Sequence, residues 1–117
     1  METQKQDFPK SEKVRTKSEI DRVFRKGARF SCKGMVLRVV GNPLEGKNRV
    51  VFVTVRSFKG AVERNKAKRI AREVWRLHKH QVASGHDIAV VLYPEIADFE
   101  HCTGALLFLL RKAGLVQ

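Results

Sequence analysis

Between Arg64 and Arg76 the chain sets Arg64, Lys66, Lys68, Arg69, Arg72 and Arg76 within thirteen residues, with Asn65 among them. Projected on a helix at ~100° per residue, with Arg64 as zero, Arg64, Lys68, Arg69, Arg72, Arg76 and Lys79 fall between roughly 0° and 140°. Ala67, Ile70, Ala71, Val74 and Leu77 occupy roughly 220° to 340°. The pairs Arg64–Lys68, Lys68–Arg72 and Arg72–Arg76 are like-charged at i,i+4, and each costs an isolated helix a few tenths of a kcal/mol. An ordinary solvated face would interleave glutamates. This arrangement instead expects an anion from outside the chain, and the forked donors of arginine match phosphate oxygens best. Asn65 has two readings, a helix cap or an amide that reads a nucleotide edge or sugar beside the arginines.

Other side chains capable of chemistry are scattered. His78, His80, His86 and His101 do not fall at metal-ligand spacing, since His78 and His80 point in different directions on a helix. Cys32 and Cys102 are far apart with no C-x-x-C motif, which suits reduced thiols rather than a zinc site or a disulfide framework. No nucleophile–base pairing, P-loop or dinucleotide loop is present, so the sequence assigns no catalytic residue and no metal ligand to this chain. Phe24, Phe30 and Phe52 have flat faces on which single-stranded bases could stack, although aromatics at helical or strand spacing more often belong to a core. Trp75, between the two arcs, reads as a packing residue at the sheet edge.

The elements that must position these groups belong to a chain of 117 residues, the size of one small domain. Lys and Arg total 24 against 12 Asp and Glu, a net charge of +12 with pI near 10.3. The surplus is confined to residues 1–80, with 22 basic and 8 acidic side chains, whereas residues 81–117 hold 2 and 4. Such localisation is what a polyanion-binding surface requires. Residues 1–12 lack periodicity and read as a mobile tail, leaving residues 13–117 as a single α+β domain. Ser18 is a candidate N-cap for a short amphipathic helix that ends at Gly27. Met35 to Val40 and Arg49 to Arg56 read as an antiparallel pair of strands, separated by the breakers Gly41-Asn42-Pro43 and Glu45-Gly46-Lys47. A helix from Ala61 to about His80, a buried strand from Asp87 to Tyr93 and a last helix from Phe99 to Ala113 complete an α-β-β-α-β-α order. Strand, helix, strand predicts a parallel pair. The longest strongly apolar stretch, Ala105 to Leu110, is far below membrane-spanning length, so a soluble cytoplasmic protein with no membrane partner is expected.

The run Gly60-Ala61-Val62-Glu63-Arg64-Asn65-Lys66-Ala67-Lys68-Arg69-Ile70-Ala71-Arg72-Glu73 resembles the signature of the bacterial ribonuclease P protein family. The opening Arg15 to Gly27, the segment Gly85 to Val91 and the closing Leu109 to Leu115 are similar to the same family, so that nearly everything after about Lys13 is covered. The resemblance implies a fold like the second domain of ribosomal protein S5, with a left-handed βαβ crossover where sequence physics alone would choose a right-handed one. It implies a protein that binds a catalytic RNA subunit, ribonuclease P RNA, and helps it remove the 5′ leader of precursor tRNA. The RNA performs the hydrolysis with magnesium bound mainly by the RNA. By the same resemblance Arg64, Asn65, Lys66, Lys68, Arg69, Arg72 and Arg76 would contact the catalytic RNA. A cleft between the sheet and the first helix, with Arg15, Arg22, Phe24, Arg38, Phe52 and Arg56, would hold the leader. Ile20 and Arg38 stand where the family often has aromatics, and Val55-Arg56-Ser57-Phe58-Lys59-Gly60 exchanges a Gly and a Lys of the family's loop. The first departure predicts leader stacking that is weaker or differently built, and the second an altered loop conformation. Weak self-association is a further expectation. The alternative reading is a non-catalytic ribosomal or general RNA-binding protein, which the same charge logic would serve; a stand-alone nuclease is disfavoured by the missing catalytic groups.

Overall fold

The protein is described by a computed structural model that covers residues 13–14, 16–42, 46–96 and 98–117. Residues 1–12, to which the tail was assigned, lie outside the described residues. Helix α1 spans Lys17–Lys26. Its N-cap is Thr16 rather than the expected Ser18: the Thr16 hydroxyl accepts from the Glu19 backbone N–H at 3.1 Å, and the Glu19 carboxylate accepts from the Thr16 N–H at 3.1 Å. This reciprocal pair satisfies two otherwise orphaned donors, whereas a cap at Ser18 would put Asp21 at the reciprocal position and shorten the helix.

A strand absent from the sequence reading follows directly. Strand β1, Ala28–Cys32, forms a hairpin with β2, Met35–Gly41, through a two-residue turn in which Gly34 takes φ +90°. Its ARFSC sequence has too few strand formers to stand out, and it forms because β2 offers an edge. The order is therefore α-β-β-β-α-β-α, still an α+β fold, with β3 (Arg49–Thr54), α2 (Ala61–His78), a 3-10 turn (Lys79–Gln81), β4 (His86–Leu92) and α3 (Phe99–Lys112).

The sheet order is β1-β2-β4-β3. Strands β2 and β3 do not pair with each other, contrary to the antiparallel pair read from the sequence; β4 lies between them, antiparallel to β2 and parallel to β3. The physical reason lies in the composition of β4. Ile88, Ala89, Val90, Val91 and Leu92 are all buried, and a strand apolar on both faces must be interior to the sheet. The parallel β3–α2–β4 unit is present as expected.

Alternate residues feed two unequal cores. Met35, Leu37, Val50, Ile88, Val90 and Leu92 face α2 and α3 in a large cluster that includes Val74, Trp75, Leu106, Leu109 and Leu110. Ala89 meets Val14 and Val23 on the other face, with Ile20, Phe24, Val40 and Val51 around them. Helix α1 is held by this second, much smaller cluster. Where α1 hands over to β1, a Cβ on Gly27 would lie 2.3 Å from the Val23 carbonyl oxygen and 3.2 Å from the Val39 backbone nitrogen. Both neighbours are backbone and cannot rotate away. Gly27→Ala is therefore expected to destabilise the fold by about 1–3 kcal/mol, as overpacking does, measured by urea unfolding; an unchanged midpoint would show that the junction yields freely. Among the described residues no helix is long and apolar enough to cross a membrane.

Candidate nucleic-acid interface

Helix α2 begins at Gly60, which makes no side-chain cap bond, and its first-turn ladder closes with Arg64 N–H donating to Gly60 O at 3.1 Å. Asn65 lies beyond that cap and is exposed, so the capping alternative for its side chain is not realised. Ala67, Ala71, Val74 and Trp75 form the buried stripe. This stripe is rotated toward Trp75 relative to the expected apolar arc, leaving Leu77 43% exposed while Trp75 is almost fully enclosed. Trp75 packs as expected, in the main core; its large ring buries more area than the smaller leucine and decides the helix rotation.

The rest of α2 presents the cations. Asn65, Lys66, Arg69, Arg72 and Arg76 are exposed, and Arg64 and Lys68 half-buried. Arg76 donates to Glu73 at 2.7 and 2.9 Å, and this pairing holds the Glu73 carboxyl below its usual range. Arg64, Lys66, Lys68, Arg69 and Arg72 form no ion pair among the described residues. Lys68 and Arg72 border a groove of about 210 Å³ at the β3 edge, shared with Lys13, Val14 and Phe52. The helix thus gives one flank to the core and, to solvent and the outer edge of the sheet, a basic arc in which Arg64, Lys68, Arg69 and Arg72 form no ion pair among the described residues.

On the opposite face of the sheet, arginines fix α1 near both of its ends. Asp87, fully buried, accepts two hydrogen bonds from Arg49, at 2.8 and 2.7 Å, and one from Asn42 at 2.9 Å. The same Arg49 guanidinium donates at 2.7 Å to Glu19, whose other oxygen closes the α1 cap. The Asp87 hydrogen bond is the foremost reason that the Arg49 pKa is raised. At the far end, Arg38 donates to the carbonyls of Phe24 and Gly27 at 3.3 and 3.5 Å, placing a cation at the negative end of the helix.

The remaining titratable groups are structural in their surroundings. His78 contacts the Val74 carbonyl at 2.9 Å and His86 the Ala83 carbonyl at 3.2 Å. Burial pushes the Cys102 thiol up to about 11, and burial raises that of Cys32 against a lowering by Lys112. Neither is a ready thiolate nucleophile at neutral pH. Among the described residues no three His, Cys, Asp or Glu side chains come together in a way that could hold a metal ion.

The arrangement of a basic helix beside a mixed sheet has counterparts among known proteins. A family model described as Ribonuclease P matches residues 8–114. The chain belongs to the ribonuclease P protein family. The ribonuclease P protein component of Syntrophomonas wolfei is 35% identical over 108 residues, covering 91% of this chain and 90% of that protein. The corresponding component of Petrotoga mobilis is 32% identical, covering 92% and 95%. In three dimensions the ribonuclease P protein of Thermotoga maritima superposes with a TM-score of 0.77 at 28% identity, over 86% of this chain and 96% of that one. The Staphylococcus aureus protein, 22% identical, shares the fold with a TM-score of 0.82, over 92% and 100%.

Against the cleft implied by the family resemblance, the structure sorts the candidate residues. Phe24 and Arg38 come together at the C-terminal end of α1, both half-buried. Arg22 lies on the same helix, but its guanidinium donates to the Gly41 carbonyl at 2.6 Å and reaches Asp87 at 3.5 Å, within the α1 anchor. Arg56 is exposed in the turn after β3. Arg15 lies outside the described residues. Phe52 does not join them: strand alternation sends it to the α2 face, where it packs against the main core, on the opposite side of the sheet from Phe24. The residues missed by the sequence reading are Val36, Val91 and Val53, which sit side by side in register, one step along the strands from Arg38, Ala89 and Val51 on the α1 face. They belong to neither core cluster; Val36 and Val91 are buried there and Val53 is half-buried. Only the correct strand order brings them together, so no local sequence signal could have found them.

Proposed function

We propose that this chain is the protein subunit of a ribonuclease P ribonucleoprotein, binding the catalytic RNA through α2 and the 5′ leader of precursor tRNA on the α1 face of the sheet. The observation that carries this reading is the basic surface of α2, with Arg64, Lys66, Lys68, Arg69 and Arg72 lacking any intramolecular ion pair among the described residues, in a chain of this family. Phosphates of a folded RNA supply the missing counter-charge, and Asn65 adds an amide able to read a base or sugar edge. The leader lies on the α1 face of the sheet against the half-buried Phe24 and Val53, where apolar and aromatic surface suits unpaired bases. Arg38 takes the place of a stacking aromatic and presents its planar guanidinium there.

The enzyme is an endoribonuclease whose catalytic groups and magnesium reside mainly in the RNA. The buried Asp87 carboxylate fits a metal poorly, since both of its oxygens are already engaged by Arg49 and Asn42. Magnesium bound by the RNA supplies charge neutralisation and an activated water for phosphodiester hydrolysis. The protein docks, holds the leader and screens phosphate repulsion. It acts in the cytoplasm, and weak self-association accompanies these roles.

Reconstitution with bacterial ribonuclease P RNA at low magnesium tests the proposal. Addition of the pure protein is expected to raise leader cleavage by roughly tenfold or more, because each tenfold requires only about 1.4 kcal/mol of added binding or barrier reduction. No stimulation by folded protein would sink it. Co-sedimentation with ribosomes and equal affinity for precursor and mature tRNA would favour the general RNA-binding alternative.

A further inference from the structure

The outer face of α3 carries a pattern that packing within the chain does not require. Cys102, Ala105, Leu106, Leu109 and Leu110 turn inward and are buried, while Glu100, Gly104, Phe108 and Lys112 follow one another at intervals of four along the exposed side. Phe108 keeps 48% of its surface exposed, with the Lys112 ammonium 5.3 Å from its ring centroid. Gly104 stands one turn away, mid-helix, where glycine is less stable than alanine. No internal contact demands it, because a Cβ built on Gly104 meets no atom within 4 Å. The result is a notch beside an exposed ring.

Glu100 and Lys112 place opposite charges at the two ends of this stripe, about 18 Å apart at ~1.5 Å of rise per residue and so unable to pair within one helix. We propose that this face of α3 docks a second copy of the chain, helix against helix and antiparallel, about a two-fold axis. An axis midway between Gly104 and Phe108 is also midway between Glu100 and Lys112. One register therefore seats each Phe108 over the other copy's Gly104 and sets each Glu100 against the other copy's Lys112. Two-fold symmetry makes every contact twice, and a parallel alignment in register would instead oppose Glu100 to Glu100.

The basic arc is not part of this contact. Lys68 and Arg72 on α2 face the β3 edge with Lys13, whereas the other flank of α2, with Glu63, Lys66 and Ile70, faces Lys59 and the β4–α3 connection at Pro94 and Ile96. Residues 81–117, which include α3, carry 2 basic and 4 acidic side chains. Two copies can meet through α3 without bringing their basic arcs together. One helix face is smaller than the ~800 Å² per partner of a standard stable interface, so the pair is weak and reversible. The inference does not depend on which RNA the chain binds.

Sedimentation equilibrium of the RNA-free full chain, from micromolar to millimolar concentration at low salt and alongside thermal melts, provides the test. The natural chain is expected to show a reversible monomer–dimer equilibrium. Gly104→Gln, which projects only into open space, weakens it at least about tenfold while the melting temperature holds. Glu100→Lys and Lys112→Glu each weaken it about tenfold, and the two together in one chain restore most of it, because the exchanged charges again face each other across the axis. A chain that stays monomeric throughout, single variants that dimerise as well as the natural chain, or a double variant no better than the singles would each overturn the proposal. Should Gly104→Gln fail to fold, the charge exchange alone decides.

Discussion

Replacing Asp87 with alanine is expected to cost about 3–5 kcal/mol of folding stability, as is typical when one partner of a buried ion pair is removed. Asp87 is fully buried, and Arg49 gives it two of its three hydrogen bonds while keeping only a small part of its own surface in water. Without the carboxylate, Arg49 is left largely desolvated with Glu19 as its carboxylate partner, and the Asn42 amide loses its shorter acceptor, at 2.9 Å against 3.4 Å for the Lys47 carbonyl. Against a total of ~5–15 kcal/mol for a domain, the penalty is large enough to unfold a sizeable fraction of the chain near body temperature. Urea unfolding of the natural and variant chains measures it, and a difference below ~1 kcal/mol would show that water replaces the carboxylate without penalty. Glu19→Gln should be milder, about 1 kcal/mol, because Glu19 is partly solvated and the neutral amide still accepts a hydrogen bond. Its effect should concentrate in α1, where hydrogen exchange would quicken before that of α2 or α3.

The same network shows what the sequence could and could not disclose. Periodicity located α2 and α3 to within a few residues because their apolar faces repeat over many turns, and the all-apolar run of β4 announced a buried strand. The cap of α1 was misplaced by two residues because Thr16 and Ser18 are both competent caps; the choice is made by Glu19, which must reach both the Thr16 N–H and Arg49, thirty residues away. Strand β1 escaped because its stability derives from pairing with β2 rather than from its own residues. The partnership of β2 and β3 was misread for a related reason: nearness in sequence favours a hairpin, but only β4 is apolar on both faces and must take the central place. For the site, the basic arc was legible because charge on a helix depends on local spacing alone. Of the residues assigned to a cleft between the sheet and α1, Phe24 and Arg38 lie together at the end of that helix, whereas Phe52 falls on the other face of the sheet because strand alternation turns it toward α2.

The α2 cations that form no ion pair among the described residues carry the second large effect. Replacing both Arg64 and Arg69 with alanine is expected to weaken binding to ribonuclease P RNA by about 10–100-fold, at roughly 1 kcal/mol or somewhat more for each charge-assisted hydrogen bond to phosphate that disappears. Salt provides an independent measure. If about six side chains of the natural chain neutralise phosphates, log affinity should fall with log salt at a slope of roughly −4 to −5, and the double variant should shed about 1.5–2 of it. Stability should hardly change and could rise slightly, because Arg69 is exposed, Arg64 forms no ion pair among the described residues, and removing Arg64 relieves its like-charge pairing with Lys68. Alanine also has the higher helix propensity. This opposition of signs separates docking from architecture: a purely structural arc would forfeit affinity and cooperative unfolding together, whereas a docking arc forfeits affinity and salt slope while the urea midpoint holds. Arg76 makes the internal control. Its guanidinium is already engaged by Glu73, so Arg76→Ala should reduce the salt slope by distinctly less than either Arg64→Ala or Arg69→Ala; an equal reduction would mean that the pair opens on binding and that Arg76 too reaches the RNA.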